Sequence, residues 1–400
     1  MSARGPFAQA GPRWFTIAAH RPFLEDLARG LVDSLPGPEA LAEAVVLAPT
    51  QRAARALAEA FLSVTGAEAV LLPQVRALGG LDEGEPPFEP GDLALDLPPA
   101  ITPYRRRFEL ARLVSEHAHL FERRIDAAAA LELADALGGF LDSLQIEEAD
   151  AGDIERIVEG ELARHWEIST RFLKLALEAW PARLAELGVM DVNARHVALL
   201  NRLTHQWTDR PPATPLIAAG STGAAPATAR LLQAVAGAPR GLVVLPGLDL
   251  ELAEDAWRQV GEQHPQGAMK RLLTRAGVTR DDVRTWPVAS PVGESEGRRR
   301  RRLINEALRP AEATADWRDQ IDKLRAEAGE GEEDPIAAGL AGLSIAAGRK
   351  EEERAALAAV ILRETMETPG KTCALITPDR DLARRVSARL SRVYLPAGCA

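Results

Sequence analysis

The sequence is short of several residue types, and each shortage excludes a class of protein. Only two of the 400 residues are cysteines, Cys373 and Cys399, so neither a disulfide framework nor a CxxC-type metal site is expected. Aromatic residues make up 4% of the chain, which excludes a continuous aromatic surface for stacking bases. Because the chain has no run of 18 apolar residues and no signal-peptide core, we expect a cytoplasmic protein without membrane contact.

Lysine is also scarce, since only five of the 48 basic residues are lysines. With so much alanine and glycine, this arginine bias is typical of a GC-rich genome and is weak evidence for phosphate binding. The net charge of −10 excludes a uniformly basic coat for nucleic acid, although not a local basic stripe. Hydrophobic residues at 46% are enough for a core, and the length suggests two to three domains.

Short apolar runs alternate with helical patterns, which predicts an α/β fold with a doubly wound parallel sheet. Between Thr102 and Trp207 apolar residues instead recur every three or four positions, which is typical of helices. The strands predicted on either side of this helical stretch are Trp14–Ile17, Ala44–Leu47, Val70–Leu72, Leu216–Ala219 and Leu242–Leu245.

The same patterns divide the chain into domains. Two further strands are predicted near the end, at Leu343–Ala346 and Thr372–Ile376. We expect residues 1–101 and 211–310 to form one sheet domain, 102–210 a helical insertion in it, 311–340 a charged linker, and 341–400 the start of a second sheet domain.

Two segments of the chain are similar to each other. Val46–Leu57 and Leu375–Val386 both read as a strand, a proline, a capping residue and an amphipathic helix. The capping residues are Thr50 and Asp379, and each would place a helix start at the carboxyl end of a parallel strand. The helix dipole favours a phosphate there, so both are candidate phosphate sites. Any strand–helix unit in an alanine-rich protein can look like this, and that alternative stays open.

Motifs for catalysis are weak. Gly370-Lys371-Thr372 lies between a predicted helix and a predicted strand, which is the wrong order for a phosphate-binding loop. The turn after the first strand, Ala18–Pro22, has neither glycine nor lysine, so we do not expect ATP hydrolysis. The motif around Ser221 resembles a nucleophile elbow, and Asp249 and His264 follow it in hydrolase order. A serine hydrolase is therefore an alternative, less common than a small-residue turn of this kind.

Two runs of arginine remain, Arg105–Arg107 and Arg298–Arg302. They could bind a phosphodiester backbone as an electrostatic track. Equally, the second run could be a helix start paired with Glu294 and Glu296. No carboxylate pair or histidine cluster predicts a catalytic or metal site.

The order of several segments resembles the N-terminal part of the AddB family, in its alphaproteobacterial form. AddB is one subunit of the AddAB helicase–nuclease. The segments that carry the resemblance cover nearly the whole chain and include Trp14–Ala28, Val46–Arg55, Leu97–Pro103, His165–Trp166, Ala179–Ala182, Ile217–Gly223, Val244–Asp249 and Ala374–Arg380.

The resemblance implies a RecA-like, P-loop-NTPase-like parallel sheet domain with a large helical insertion, followed by the start of a second RecA-like domain. It implies a helicase-like chain without catalytic residues that holds and scans DNA during double-strand break repair by homologous recombination. The partner would be an AddA-type helicase–nuclease subunit. The family segments beside the DNA path match Thr50, Gln51, Arg52 and Arg76, which are therefore candidate DNA-binding residues.

The family also carries a C-terminal nuclease domain with an iron–sulfur cluster, which has no counterpart in these 400 residues. We therefore expect no cofactor in this chain, and Cys399 is not expected to be a cluster ligand. A purely structural partner of the AddA-type subunit is a further alternative.

Overall fold

The computed structural model describes residues 5–8, 11–66, 70–78, 91–120, 125–149, 175–289, 294–326 and 333–394. Within them lies a six-stranded sheet in which every neighbouring pair of strands is parallel. The spatial order is β3-β2-β4-β5-β1-β6. In chain order, the strands are β1 (Trp14–Ile17), β2 (Val45–Ala48), β3 (Gln74–Ala77), β4 (Leu216–Ala219), β5 (Gly241–Pro246) and β6 (Arg284–Thr285).

Helices fill most of the remaining described chain, and none of those described is long and apolar enough to cross a membrane. A short π-helix, Leu175–Ala179, leads directly into the helix that begins at Trp180. The helices are α1 (Phe23–Ser34), α2 (Pro38–Ala42), α3 (Gln51–Thr65), α4 (Pro103–Glu116), α5 (Ala127–Glu147), α6 (Trp180–Leu187), α7 (Val192–Asp209), α8 (Pro226–Gly237), α9 (Glu254–Gln259), α10 (Gly267–Ala276), α11 (Glu294–Ala307), α12 (Trp317–Ala326), α13 (Pro335–Leu340), α14 (Glu351–Met366) and α15 (Arg380–Tyr394).

The central strands are apolar along their whole length because both faces of the sheet are covered by helices. Successive side chains of a strand point to opposite faces. Val46 is accordingly buried with Phe61 of α3, whereas Leu47 is buried with Leu200 of α7 and Leu231 of α8. Burying one such side chain stabilises the fold by roughly 1.5–3 kcal/mol. This two-sided burial explains why the sequence shows continuous apolar runs rather than alternation.

The direction in which the chain adds strands to the sheet reverses between β2 and β4. From β2 the chain passes through α3 on one face to β3, and from β4 it passes through α8 on the other face to β5. Since β2 and β4 are neighbours, their connections leave in opposite directions. Ligands of such open parallel sheets bind outside the carboxyl ends of the strands at this kind of reversal.

The helices between β3 and β4 pack around one buried carboxylate. Asp191 accepts hydrogen bonds from Trp180 Nε1 at 2.9 Å, Gln145 Nε2 at 3.0 Å and Arg106 Nη2 at 3.2 Å. A buried charge satisfied in this way holds three helices in register. The described residues of the stretch contain helices and no strand, as the periodicity predicts. His165 and Trp166 lie outside the described residues.

One strand prediction in this sheet is wrong, and one strand is missing from the predictions. The third strand is Gln74–Ala77 and not Val70–Leu72, whose Leu71 is exposed. β3 is an edge strand with one neighbour, so its sequence keeps polar residues and lacks the apolar run that marks a central strand. The short strand β6 pairs with β1 through two residues only and was not predicted, because two residues carry no periodicity.

The chain divides into two compact units, Met1–Gly339 and Leu340–Ala400. In the second unit α14 and α15 pack on each other, but neither predicted strand forms. Ile345 and Ile376 are 92% and 94% exposed. Parallel strands are stable mainly inside a sheet covered on both faces, and within the described residues these two segments have no such cover. The segment interpreted as a linker, 311–340, holds α12 and α13.

Candidate functional site

The start of α3 lies at the carboxyl end of β2, beside the reversal in the sheet. Thr50 has an extended backbone, with φ −137° and ψ 164°, and its Oγ1 accepts a hydrogen bond from the backbone N–H of Ala53 at 3.1 Å. This is the capping role that the sequence predicts. The first turn of α3 holds no acidic residue, so the positive end of the helix dipole is not offset there.

Two arginines follow this cap on the exposed side of α3. Arg52 and Arg55 are both exposed, and within the described parts of the chain neither forms an ion pair or a side-chain hydrogen bond. Residues three apart are neighbours on a helix surface, so the two guanidinium groups share one side of α3. Arg55 was not among the predicted site residues, and the three-residue spacing from Arg52 is the signal that could have found it.

An apolar cavity of about 180 Å³ lies next to the same helix start. Phe23, Pro49, Ala53, Gly220 and Pro246 are among its lining residues. Gly220 has a φ of +82°, and a Cβ there would lie 3.5 Å from both Phe23 and Pro49. These would be ordinary contacts, so it is the positive φ of the turn after β4, and not lack of space, that favours glycine there.

Arg76 lies on the neighbouring edge strand rather than at the start of α3. It is paired in register with Leu47 and is exposed, and its Nη2 donates to Gln74 Oε1 at 3.1 Å. Gln51 is the first residue of α3 and is half-buried. The structure thus brings Thr50, Gln51 and Arg52 together and places Arg76 on a separate element.

Asp379 also caps a helix, but in a different setting. Its Oδ1 accepts from the backbone N–H groups of Asp381 at 2.9 Å and Leu382 at 3.0 Å. Within the described residues no strand lies directly before it in the chain, so this helix start is not at the edge of a sheet. The capping carboxylate carries a negative charge at the place where a phosphate would have to sit, which argues against a phosphate site at Asp379.

The two arginine runs are largely paired within the protein. In the first, Arg106 contacts the buried Asp191 at 2.8 Å and Arg107 contacts Asp135 at 2.7 Å. In the second run, three arginines contact Glu251, which follows β5. The N–O distances are 3.1 Å from Arg298, 2.7 Å from Arg301 and 3.7 Å from Arg302. Glu251 is therefore a partner of this run that lies far from it in sequence.

The serine, aspartate and histidine of the hydrolase alternative do not form a relay. Ser221 Oγ accepts from the backbone N–H of Gly223 at 3.2 Å. Asp249 Oδ1 accepts from the backbone N–H groups of Glu251 and Leu252. His264 Nε2 lies 3.0 Å from the carbonyl oxygen of Leu308, and its Nδ1 accepts from the N–H of Gln266. Both imidazole nitrogens are thus occupied by backbone groups, and the geometry does not support a hydrolase.

The turn after β1 lies where a phosphate-binding loop would be expected. Arg21 forms an ion pair with the buried Asp26. A Cβ on Gly297 would lie 3.0 Å from His20 Cδ2, so α11 packs directly on this turn.

Among the described residues no group of three or more His, Cys, Asp or Glu side chains could hold a metal ion. No protein-family model matches the chain, and a search of curated proteins finds no significant match.

Proposed function

We propose that this chain is a DNA-handling, catalytically inactive helicase-like part of an AddB-type subunit, acting with an AddA-type partner in double-strand break repair by homologous recombination. The observation that carries the proposal is the pair Arg52 and Arg55. These two arginines are exposed and have no ion-pair partner among the described residues, whereas most of the two arginine runs is neutralised internally. The six-stranded parallel sheet is consistent with the RecA-like domain that the proposal requires.

The start of α3 suits a phosphodiester backbone for physical reasons. The guanidinium group is planar, permanently charged and able to donate two parallel hydrogen bonds to a phosphate. The helix dipole adds a fixed positive potential at the same end of α3. Thr50 already satisfies the N–H of Ala53, so the arginine side chains supply most of the contacts to phosphate.

The turn after β1 supports a role without ATP hydrolysis. It has no glycine for close approach of the backbone and no lysine for the β- and γ-phosphates. Translocation is therefore assigned to the partner subunit, and this chain contributes contacts to DNA. The scaffold for these DNA contacts consists of the sheet, the helices between β3 and β4, and the arginines of α3.

Binding of a fluorescent single-stranded oligonucleotide, followed by anisotropy at increasing salt, tests the proposal. For the double variant Arg52→Ala/Arg55→Ala, we expect weaker binding and a salt slope that falls by about 0.7 for each phosphate that the variant no longer neutralises. Arg76→Ala should weaken binding less because Arg76 already bonds Gln74. The matched control for each single variant, Arg52→Ala or Arg55→Ala, is Arg107→Ala, which also removes one positive charge but from an arginine paired with Asp135, and it should leave the slope unchanged.

Absence of DNA binding, alone and with an AddA-type subunit, would refute the proposal. Capture of that subunit without any crosslink to DNA would favour the purely structural role instead. If DNA binding were weakened equally in the Arg107 control and the α3 variant, binding would depend only on the net charge of the chain.

A further inference from the structure

A second cavity lies away from the start of α3, between α11, α12 and the loop that follows β5. Its volume is about 210 Å³, which is below the roughly 300–1,000 Å³ typical of sites for drug-sized ligands. A single small group fits such a space better than a whole nucleotide. The lining is mostly polar and consists of Asp249, Glu251, Leu252, Ala253, Arg302, Asn305, Glu306, Gln320, Lys323 and Leu324.

The acidic side chains of this lining already have partners. Asp249 is bonded to two backbone N–H groups, and Glu251 is held by three arginines. Glu306 is half-buried and has the Arg309 guanidinium 3.6 Å away. Burial also raises the pKa of Glu306 above its ordinary value. These contacts reduce the negative charge that a ligand in the cavity would meet.

The side chains left over are hydrogen-bond donors. Lys323 and Asn305 make no ion pair or side-chain hydrogen bond in the described part of the chain. Gln320 uses its Nε2 on Asp316. A cavity whose uncommitted lining is an ammonium and an amide, with a guanidinium beside them, is chemically suited to an oxyanion.

The geometry around Glu251 shows what kind of oxyanion would fit. Arg298 contacts Oε1 of Glu251, and Arg301 and Arg302 contact Oε2. Three guanidinium groups therefore converge on one carboxylate that borders the cavity. Of the three, only Arg302 lines the cavity itself, and a phosphate there has more charge and more oxygens than a carboxylate with which to bind it.

We propose that this cavity is a binding site for a phosphate-type oxyanion and that Glu251 masks it by occupying the arginines. An anion entering the cavity meets Lys323 and Asn305 and competes with Glu251 for Arg302. The turn that Asp249 caps holds the backbone of Glu251 in place, so the fold itself keeps Glu251 next to the arginines. The site is independent of the proposed DNA contacts at α3, which follows a different strand.

Isothermal titration calorimetry of the full chain with inorganic phosphate at low salt tests the site. We expect Glu251→Gln to bind about tenfold more tightly than the natural chain, because a neutral amide competes less for the arginines. Lys323→Ala should weaken binding about tenfold in both backgrounds. Arg318→Ala is the matched control, since Arg318 is an exposed cation on the same helix that does not line the cavity.

The proposal is overturned if Glu251→Gln leaves the affinity unchanged or lowers it while its thermal unfolding matches that of the natural chain. It is equally overturned if Lys323→Ala and Arg318→Ala weaken binding to the same degree. Lys323 is exposed and has no partner among the described residues, so its variant is expected to fold and keeps the test decisive even if Glu251→Gln unfolds.

Discussion

The two similar segments, Val46–Leu57 and Leu375–Val386, share a local pattern but differ in what surrounds them. Both begin a helix with a side-chain cap, from Thr50 in the first and Asp379 in the second. In the first segment the preceding strand is buried at the centre of a sheet, with Leu47 only 1% exposed. In the second, the matching residue Ile376 is 94% exposed and no strand forms.

This difference separates structure that local sequence determines from structure that needs distant parts of the chain. A cap needs one side-chain oxygen and the N–H groups two or three residues later, so the local sequence is sufficient. A parallel strand needs neighbours on both sides and a helix layer on each face, which come from distant parts of the chain. The same local pattern therefore gives a capped helix in both segments but a strand only in the first.

The largest expected effect comes from the matched positions Leu47 and Ile376. Leu47→Ala should destabilise the first unit by about 2–5 kcal/mol, because it removes a buried side chain and leaves a cavity. Ile376→Ala should change stability by less than ~0.5 kcal/mol, because its side chain is already in water. All seven tryptophans lie in the first unit, so tryptophan fluorescence during urea unfolding reports on that unit and on the Leu47 variant. Circular dichroism during the same unfolding reports on both units. Equal destabilisation by the two variants would mean that Ile376 is covered in solution.

An intermediate effect is expected from removing the caps. Thr50→Ala and Asp379→Ala should each cost about 1 kcal/mol, since each leaves backbone N–H groups of the first turn without a partner. Amide hydrogen exchange at Ala53 and at Leu382 measures this locally. Faster exchange at one site and not the other would show that the two caps are not equivalent.

The smallest effect is expected from the arginines that match in the two segments. Arg55 forms no ion pair or side-chain hydrogen bond within the described residues, and Arg384 forms an exposed pair with Asp381 one turn away. Such a pair on a helix surface contributes about 0.2–0.5 kcal/mol, so Arg384→Ala should be barely measurable and Arg55→Ala neutral. Urea unfolding checks both, and a destabilisation well above ~1 kcal/mol at Arg55 would reveal a structural role there.

Most of the first unit could be predicted because central parallel strands and amphipathic helices leave strong patterns. Trp14–Ile17 and Leu216–Ala219 were predicted with the bounds observed, since both are continuous apolar runs. Gln74–Ala77 could not be predicted in the same way, because an edge strand keeps polar side chains such as Arg76. The sequence predicts the start of α3 through Thr50, and the three-residue spacing from Arg52 points to Arg55, whose exposure only the fold shows.

The pairing of the run Arg298–Arg302 with Glu251 could not be predicted from the sequence. Glu251 lies 47 residues from Arg298, and no local pattern links them. The run Arg298–Arg302 therefore looks like a phosphate track in the sequence, although three of its members share one carboxylate in the fold. Likewise, Ser221, Asp249 and His264 occur in hydrolase order, and only their hydrogen bonds show that no relay exists.

Local sequence accounts for the α/β class, the interrupted order of strands, the helical stretch between them and the two helix caps. Each of these depends on periodicity or on contacts within a few residues. Long-range packing, in contrast, fixes which strands have neighbours, which arginines stay unpaired and where the two cavities lie. These features depend on contacts between residues far apart in the chain, which local patterns do not record.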